Sequence, residues 1–169
     1  MKRLIRNLLL WSALSPLYIS CSEKIEPQPT TYSQLLTGTT KKTWRLVTVR
    51  VIDNGEDSGA IPINEVLNAC EADDQYVFYA NAEKQFEYTD GPLKCSPDDP
   101  DLLLTTNWAL VNANATLEMP IPAFFGGSLV PFTIKSLTET TLTVELYWEK
   151  FTPDQLNASY RFTFNSSNR

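Results

Sequence analysis

The chain has 169 residues, of which 43% are hydrophobic, and a formal net charge of −6. This length is enough for one domain with a hydrophobic core, and the apolar content excludes disorder over most of the chain. The sequence contains no histidine, which removes the usual metal ligand and general base and any Ser-His-Asp or Cys-His catalytic arrangement. An acidic chain without a basic cluster is a poor candidate for nucleic-acid binding. We therefore expect a domain that is not an enzyme, needs no cofactor and binds no nucleic acid.

Residues 1–20 have the organisation of a signal peptide. Three basic residues, Lys2, Arg3 and Arg6, precede the apolar run LLLWSALSPLYI, which is too short to span a bilayer as a helix. The leader holds no acidic residue, so subtracting its three positive charges from −6 leaves −9 for the mature chain. The run ends next to Cys21, and this arrangement resembles the lipobox of bacterial lipoproteins.

The lipobox resemblance implies cleavage before Cys21, lipid attachment to that cysteine and a location at the outer membrane of the cell envelope. Two or three acyl chains hold a protein stably on a membrane, which would then be a partner of this protein. Residues 21–31 (CSEKIEPQPTT) contain two prolines and little apolar content, and they read as a flexible tether. The alternative is a plain secretory signal cut elsewhere, with Cys21 free or paired between chains.

The domain that follows, residues 32–169, is predicted to begin with short helices. Residues 32–36 form a helical candidate that Ser33 or Thr31 could cap and that Gly38 could end. Residues 62–69 form a second candidate, in which a proline is tolerated in the first turn.

The rest of the domain is predicted to be β-strand. The segments are rich in β-branched and aromatic residues, turn residues separate them, and apolar and polar side chains alternate within several of them. Strands with one apolar face and one solvent-exposed, or wet, face indicate an antiparallel sheet that encloses a single apolar interior. Closure of that sheet into a barrel leaves no unpaired edge strand. We therefore predict an all-β, eight-stranded, mostly antiparallel up-and-down barrel. The predicted strands are residues 43–53, 75–80, 85–90, 105–111, 115–119, 129–137, 141–150 and 159–164.

Four features together resemble the lipocalin-like lipoproteins of Gram-negative bacteria. They are the leader ending in cysteine, the first strand KTWRL, the segment CEADDQYVFYANAEKQFEY and the late hairpin IKSLTETTLTVEL. The resemblance covers roughly residues 31–164. It implies a lipocalin-like barrel in the envelope, within a family of mostly unknown function, and it implies no catalytic residues.

Two cysteines remain if Cys21 carries lipid. Outside the cytoplasm a disulfide between Cys70 and Cys95 is the expected state, and the loop it closes would contribute about 3 kcal/mol of stability. The alternative, a redox or metal-binding pair, lacks the C-x-x-C spacing and a histidine.

Acidic residues are the remaining candidates for metal-binding or catalytic groups. Asp98, Asp99 and Asp101 lie in CSPDDPD, and clustered carboxylates can bind Ca²⁺. The glycine and the spaced ligands of a calcium loop are missing, so we predict a turn and no metal site. Paired carboxylates could act as a glycosidase, and Glu87, Glu118 and Glu145 lie on predicted strands, but the alternation places Glu87 and Glu145 on the wet face.

The inward-facing aromatic residues carry a further functional signal. They indicate either a filled core, since an eight-stranded interior is only just wide enough for its own side chains, or a partly open cup for a small apolar molecule. The candidate ligand-binding residues are Trp44, Phe78, Tyr88, Trp108, Phe132, Leu146, Trp148 and Tyr160.

The apolar loop MPIPAFFGGSLVP contains Phe124 and Phe125. It has three interpretations: a lid over the barrel mouth, a docking patch for a partner, or a plug that tucks into the core. The favoured prediction is an outer-membrane-anchored, lipocalin-like lipoprotein that binds a small apolar molecule without catalysis. The alternative is a structural or accessory lipoprotein that docks another envelope protein through its surface or this loop.

Overall fold

The structure, a computed structural model, describes residues 30–147 and 157–166. The predicted signal peptide, the predicted lipid-attachment residue Cys21, nearly all of the predicted tether and the candidate ligand-binding residue Trp148 lie outside the described residues. Among the residues that are described, no helix combines the length and the apolar character needed to cross a membrane.

The described chain consists mainly of strands. Eleven strands alternate with three short α-helices and one 3₁₀ turn. The strands are β1 (Lys41–Asp53), β2 (Glu56–Asp57), β3 (Ile61–Pro62), β4 (Gln75–Tyr79), β5 (Gln85–Thr89), β6 (Leu102–Asn107), β7 (Ala109–Val111), β8 (Thr116–Met119), β9 (Val130–Leu137), β10 (Thr141–Tyr147) and β11 (Ala158–Ser166). The helices are α1 (Tyr32–Thr37), α2 (Ala69–Ala72) and α3 (Pro122–Phe125), and the 3₁₀ turn is Ile63–Glu65.

The strands form one antiparallel sheet that curls into a nearly closed barrel. Its order is β6-β5-β4-β1-β11-β10-β9-β8-β7, and β2 and β3 pair with β1 off this path. Neighbours along the path are antiparallel. The two ends of the path, β6 and β7, are consecutive in the chain. The all-β, antiparallel barrel prediction is therefore confirmed.

The predicted number of eight strands is wrong, because nine strands lie on the path and two more pair beside it. The predicted strand 105–111 is divided at Trp108: β6 pairs with β5, whereas β7 pairs with β8. At the break, the backbone N–H of Trp108 donates to the carbonyl of Lys84 at 2.9 Å. The two short strands β2 and β3 are not among the predicted strands, and β3 ends at residue 62, where the second helix is predicted to begin.

The first predicted helix is confirmed and the second is wrong. Thr31 caps α1 in a reciprocal arrangement with Gln34, and Gly38, at φ +65°, follows its last residue. The second predicted helix, residues 62–69, is instead a 3₁₀ turn followed by α2. Asn68 starts that new helix, because it forms a capping box with Glu71.

Helix α1 packs against strands β1, β4 and β9 of the barrel. Trp44 donates from Nε1 to the carbonyl of Leu36 at 2.8 Å. The Lys42 ammonium lies 4.7 Å from the Trp44 ring and donates to the carbonyls of Leu35 and Glu139. The carbonyl of Glu139 belongs to the β9–β10 turn, so one buried lysine joins the helix, the first strand and that turn.

Strand β1 is irregular at its centre, and this irregularity positions the candidate site. The register with β11 shifts between Leu46 and Thr48, which marks a β-bulge. Along its other edge, β1 pairs with β4 at residues 41–44 and with β3 at residues 48–49. Among the described strands, none pairs with residues 45–47 on that edge.

Candidate functional site

The predicted ligand-binding residues lie together, as the interior packing of the barrel. Trp44, Phe78, Tyr88, Trp108, Phe132 and Leu146 are each at most 6% exposed and belong to one continuous core cluster. Tyr160 is partly buried and packs against that cluster.

Rings fill the interior by contacting one another. The ring centroids of Phe78 and Phe86 are 5.1 Å apart, and those of Tyr76 and Phe164 are also 5.1 Å apart, both in edge-to-face geometry. Aromatic rings prefer this arrangement when they pack closely. The geometry therefore favours the filled core over the open cup.

The loop with Phe124 and Phe125 contacts the core at its tip. Helix α3 carries both rings, and they are partly buried. The Phe124 ring lies 5.1 Å from that of Phe162, and the Phe125 ring lies 6.0 Å from Phe162 and 6.1 Å from Phe132. Of the three interpretations of this loop, these contacts favour the plug.

A cavity of about 540 Å³ lies beside the barrel wall, and we call it the side groove. It follows β1 at the bulge, where no described strand covers residues 45–47 on one edge. The apolar lining comes from Leu46, Val47, Ile63, Ala69, Ala72 and Leu93, and the polar lining comes from Arg45, Asn64, Asp73, Asn165 and Ser166.

A disulfide holds the wall of the side groove. Cys70 in α2 is bonded to Cys95, with their Cα atoms 5.1 Å apart, so the predicted disulfide is confirmed. It ties α2, which lines the side groove, to the loop after β5.

Asp73 is the buried acidic group of the side groove. The residue is 8% exposed, and its Oδ2 accepts the backbone N–H of Leu93 at 2.9 Å. Its Oδ1 accepts no hydrogen bond from the described part of the chain. A side chain at Gly91 would overlap this carboxylate, so close approach of the two segments depends on that glycine.

A second cavity, about 230 Å³ in volume, is lined by both cysteines of the disulfide, and we call it the acidic cavity. Its lining is Cys70, Glu71, Asp74, Tyr88, Asp90, Cys95, Asp99, Leu103, Pro122 and Ala123. Asp74 accepts hydrogen bonds from the Tyr88 hydroxyl and from the backbone N–H of Gly91. Burial raises the pKa of Asp74 above its ordinary value of 3.8, and the negative charges of Asp90 and Asp73 raise it further. The two hydrogen bonds lower this pKa, but they do not outweigh burial.

The acidic sequence CSPDDPD contains a turn at residues 97–98. Asp99 accepts the Ser96 N–H at 2.6 Å, and Lys94 donates to Asp101 at 2.6 Å. Across residues 30–147 and 157–166, no three His, Cys, Asp or Glu side chains are grouped closely enough to hold a metal ion.

Glu145, predicted on the wet face, is 3% exposed. Neighbours on the outer face cover it: Ser159 donates to it at 2.7 Å and Arg161 at 2.9 Å, and the Lys135 ammonium lies 3.5 Å away. Burial alone would raise its pKa, but these three partners outweigh burial and lower it.

Comparison of the sequence with protein-family models and with curated proteins found no match. The fold and the side groove therefore carry the functional proposal.

Sequence reasoning missed both cavities. The signal that was available is the motif Cys70-x-x-Asp73-Asp74, whose residues line the side groove or the acidic cavity. The bulge in β1 and the unpaired edge beside it depend on contacts between distant segments, so no local pattern marks them.

Proposed function

We propose that this protein is a lipocalin-like envelope lipoprotein, anchored at the outer membrane through Cys21, whose domain binds a small molecule with an apolar body without catalysis. We further propose that this molecule occupies the side groove and not the barrel interior. The observation that carries the proposal is a groove of about 540 Å³ beside a barrel whose interior is filled with packed rings.

The size and lining of the side groove suit a small ligand. Ligand sites typically measure about 300–1,000 Å³ and combine mainly apolar walls with a few polar groups. Six apolar side chains line this groove, and Arg45 and Asp73 are its charged lining residues. A ligand with an apolar body and a hydrogen-bonding head group would fit that combination.

The barrel interior offers less support for a ligand. A molecule there would have to displace rings that contact one another, and Phe124 and Phe125 would have to leave Phe162. Close-packed interiors lose many dispersion contacts when such rings separate.

A non-catalytic role agrees with the chemistry of the groove. Its titratable lining residues are Arg45 and Asp73, and the chain contains no histidine. An arginine that stays protonated cannot exchange protons with an aspartate as an acid–base pair near neutral pH.

Native mass spectrometry of the protein purified from its membrane tests the binding proposal. The wild type should carry a discrete added mass that collisional activation removes. Ala69→Trp should abolish it, because Ala69 is exposed and lines the groove. The matched control is Ala82→Trp on the exposed β4–β5 turn, which should keep the added mass. Its persistence in Ala69→Trp, or its absence from the wild type, counts against binding in the groove.

Cell fractionation tests the anchor separately. Cys21→Ser should release the protein from the membrane fraction, because the proposed acyl chains have no attachment site. The side groove is unaffected by this change, so the two tests can fail independently. Cys21→Ser protein that remains in the membrane fraction contradicts the anchor.

Docking of an envelope protein through Phe124 and Phe125 stays a prediction. The two rings pack on Phe132 and Phe162, so the geometry supports that role less than ligand binding in the groove.

A further inference from the structure

Arg45 is a cation of the side groove that has no ion-pair partner among the described residues. It lines the groove and is exposed. The ion pairs of residues 30–147 and 157–166 are made by Arg50, Lys94, Lys135 and Arg161 instead. An arginine stays protonated and presents five N–H donors in a planar fork, so this guanidinium has both its charge and its hydrogen bonds available for a ligand.

Asn165 places a further donor beside Arg45. The two residues are directly opposite each other in the pairing of β1 with β11, and both line the side groove. Residues paired in this way have their side chains on one face, with Cβ atoms about 4.5–5.5 Å apart. The Oδ1 of Asn165 accepts a hydrogen bond from the Thr141 hydroxyl at 3.5 Å, whereas its Nδ2 donates to no group in the part of the chain that the structure describes.

Asp73, the other charged residue of the lining, does not offer a matching contact for a cation. Its Oδ2 accepts the backbone N–H of Leu93 at 2.9 Å. Its Oδ1 is buried and lies so close to Gly91 that a side chain there would overlap it. The charge that the groove exposes to a ligand is therefore the positive charge of Arg45.

The apolar lining continues directly from these donors. Leu46 and Val47 follow Arg45 along β1, and Ile63 belongs to the same lining. A molecule with its head group at Arg45 and Asn165 can therefore extend its apolar body along the groove.

We propose that the ligand of the side groove is an acidic amphiphile, whose carboxylate accepts hydrogen bonds from the Arg45 guanidinium and the Asn165 amide while its apolar body packs on Val47 and Ile63. This inference rests on the proposed function, because it names the head group of the molecule that the same groove would bind. A carboxylate matches the arginine fork with two parallel hydrogen bonds.

A carboxylate suits this groove better than a phosphate monoester. The phosphate carries about −1.5 to −2 charges near neutral pH, whereas the carboxylate carries a single charge. The chain has a net charge of −6, and Asp73 belongs to the same lining. Both disfavour the more highly charged head group.

An NMR titration of the full, disulfide-bonded protein with four probes that share a naphthalene body tests this proposal. The probes are 2-naphthoate, 2-naphthamide, 2-naphthylmethylammonium and 2-naphthyl phosphate, and the readout is the methyl signals of Ala69 and Ala72 in the groove lining. The carboxylate probe should bind about tenfold or more tightly than the neutral amide, because hydrogen bonds to a charged group are stronger. The ammonium probe should bind most weakly, and the phosphate probe should bind less tightly than the carboxylate.

Two arginine variants form a matched pair. Arg45→Gln should weaken binding of 2-naphthoate about tenfold or more, because it removes the charge that the carboxylate contacts, and it should change the affinity for 2-naphthamide less than about twofold. Arg50→Gln makes the same change on the same strand, at a residue outside the groove lining that pairs with Asp57. It should alter both affinities less than about twofold, since surface charges are screened by water and salt.

Asn165→Asp tests the same contact without removing the arginine. The new carboxylate would lie opposite Arg45 and pair with it, so 2-naphthoate should again lose affinity about tenfold or more. An unchanged affinity for 2-naphthamide in each variant would show that the groove is still folded.

The outcomes separate the head group from the groove. Equal affinity for the carboxylate and the amide, tighter binding of the ammonium or phosphate probe, or equal weakening in Arg50→Gln overturns the carboxylate and leaves binding in the groove in place. If no probe shifts the signals of Ala69 and Ala72, the proposed function fails and the head-group inference fails with it.

Discussion

The barrel interior and the segment bound by the disulfide are built in opposite ways. The interior is apolar and continuous: Trp44, Phe78, Phe132 and Phe162 are fully buried. The other region, residues 59–74 and 90–101, which we call the strap, contains buried carboxylates and contributes to the lining of both cavities. The packed rings therefore stabilise the barrel from within, whereas both cavities lie against the strap.

The difference follows from how each region satisfies the hydrogen-bonding capacity of its backbone N–H and C=O groups. Barrel strands pair along their length, so alternating side chains meet in one interior. The strap has a two-residue strand, a single 3₁₀ turn and the four-residue helix α2. Such short elements bury little surface of their own, so the disulfide and the hydrogen bonds of Asp73 and Asp74 hold them in place.

The largest expected loss in the free energy of unfolding comes from a substitution in the barrel interior. Phe162→Ala should lower the free energy of unfolding by about 3–5 kcal/mol, because it leaves a cavity among Phe124, Phe125 and Phe132. Ala69→Trp in the side groove should change it by less than about 1 kcal/mol, since most surface substitutions are small in effect. Urea unfolding measures both. Similar losses of unfolding free energy in the two variants would contradict the proposed difference between the interior and the strap.

Removal of the disulfide should have the next largest effect. The double variant Cys70→Ser and Cys95→Ser should lose about 3 kcal/mol, because the unfolded chain gains loop entropy. Amide hydrogen exchange should rise in the strap before it rises in β10 and β11. If exchange instead rises uniformly in the barrel strands, the strap is not a separate unit.

The two regions also have buried carboxylates with opposite pH dependence. Burial raises the pKa of Asp74, so its contribution to stability is fully present below the unfolded-state value near 3.8 and is lost as pH rises through the folded-state value. Asp74→Asn should therefore gain stability relative to the wild type between pH 4 and pH 7. Urea unfolding across this range tests the sign, and a constant difference would contradict the shift.

Glu145 on the barrel wall should behave in the reverse manner. Its partners lower its pKa below the ordinary 4.5, so the stability it contributes is present above that value and is lost on acidification through the folded-state pKa. Glu145→Gln should cost about 1–3 kcal/mol at pH 7, and this cost should shrink as the pH falls toward 3. A cost that grows on acidification would show that burial, and not Ser159 and Arg161, dominates this group.

The smallest effect should come from the exposed outer surface. Arg50 pairs with Asp57 at 2.9 Å, but their side chains are 34% and 43% exposed. Arg50→Gln should change the free energy of unfolding by no more than about 0.5 kcal/mol. A larger loss would mean that the β1–β2 ladder depends on this pair.

Much of the barrel could be predicted from sequence because its signals are local. Alternation in β10 and β11, and the cap at Thr31, each depend on neighbouring residues. The division at Trp108 could not be predicted in this way, because it depends on pairing with other strands: β6 pairs with β5, whereas β7 pairs with β8.

The candidate site was predictable only in part. The pairing of Cys70 with Cys95 followed from cysteine use, and alternation indicated which aromatic residues point inward. Whether those rings leave an open cavity inside the barrel depends on how closely they pack. The alternation of apolar and polar residues carries no information about that packing. The side groove depends on a bulge and on a gap between β4 and β3 along β1, and both arise from tertiary contacts.

The most direct test of ligand binding in the side groove is a methyl NMR titration with N-phenyl-1-naphthylamine, an uncharged apolar probe. We predict saturable shifts at the methyl groups of Ala69 and Ala72, which line the side groove. We predict unchanged signals for Leu117, Leu142 and Val144, which are fully buried in the barrel interior. Saturable shifts of the interior methyl groups, with Ala69 and Ala72 unaffected, would contradict binding in the groove and place the ligand inside the barrel.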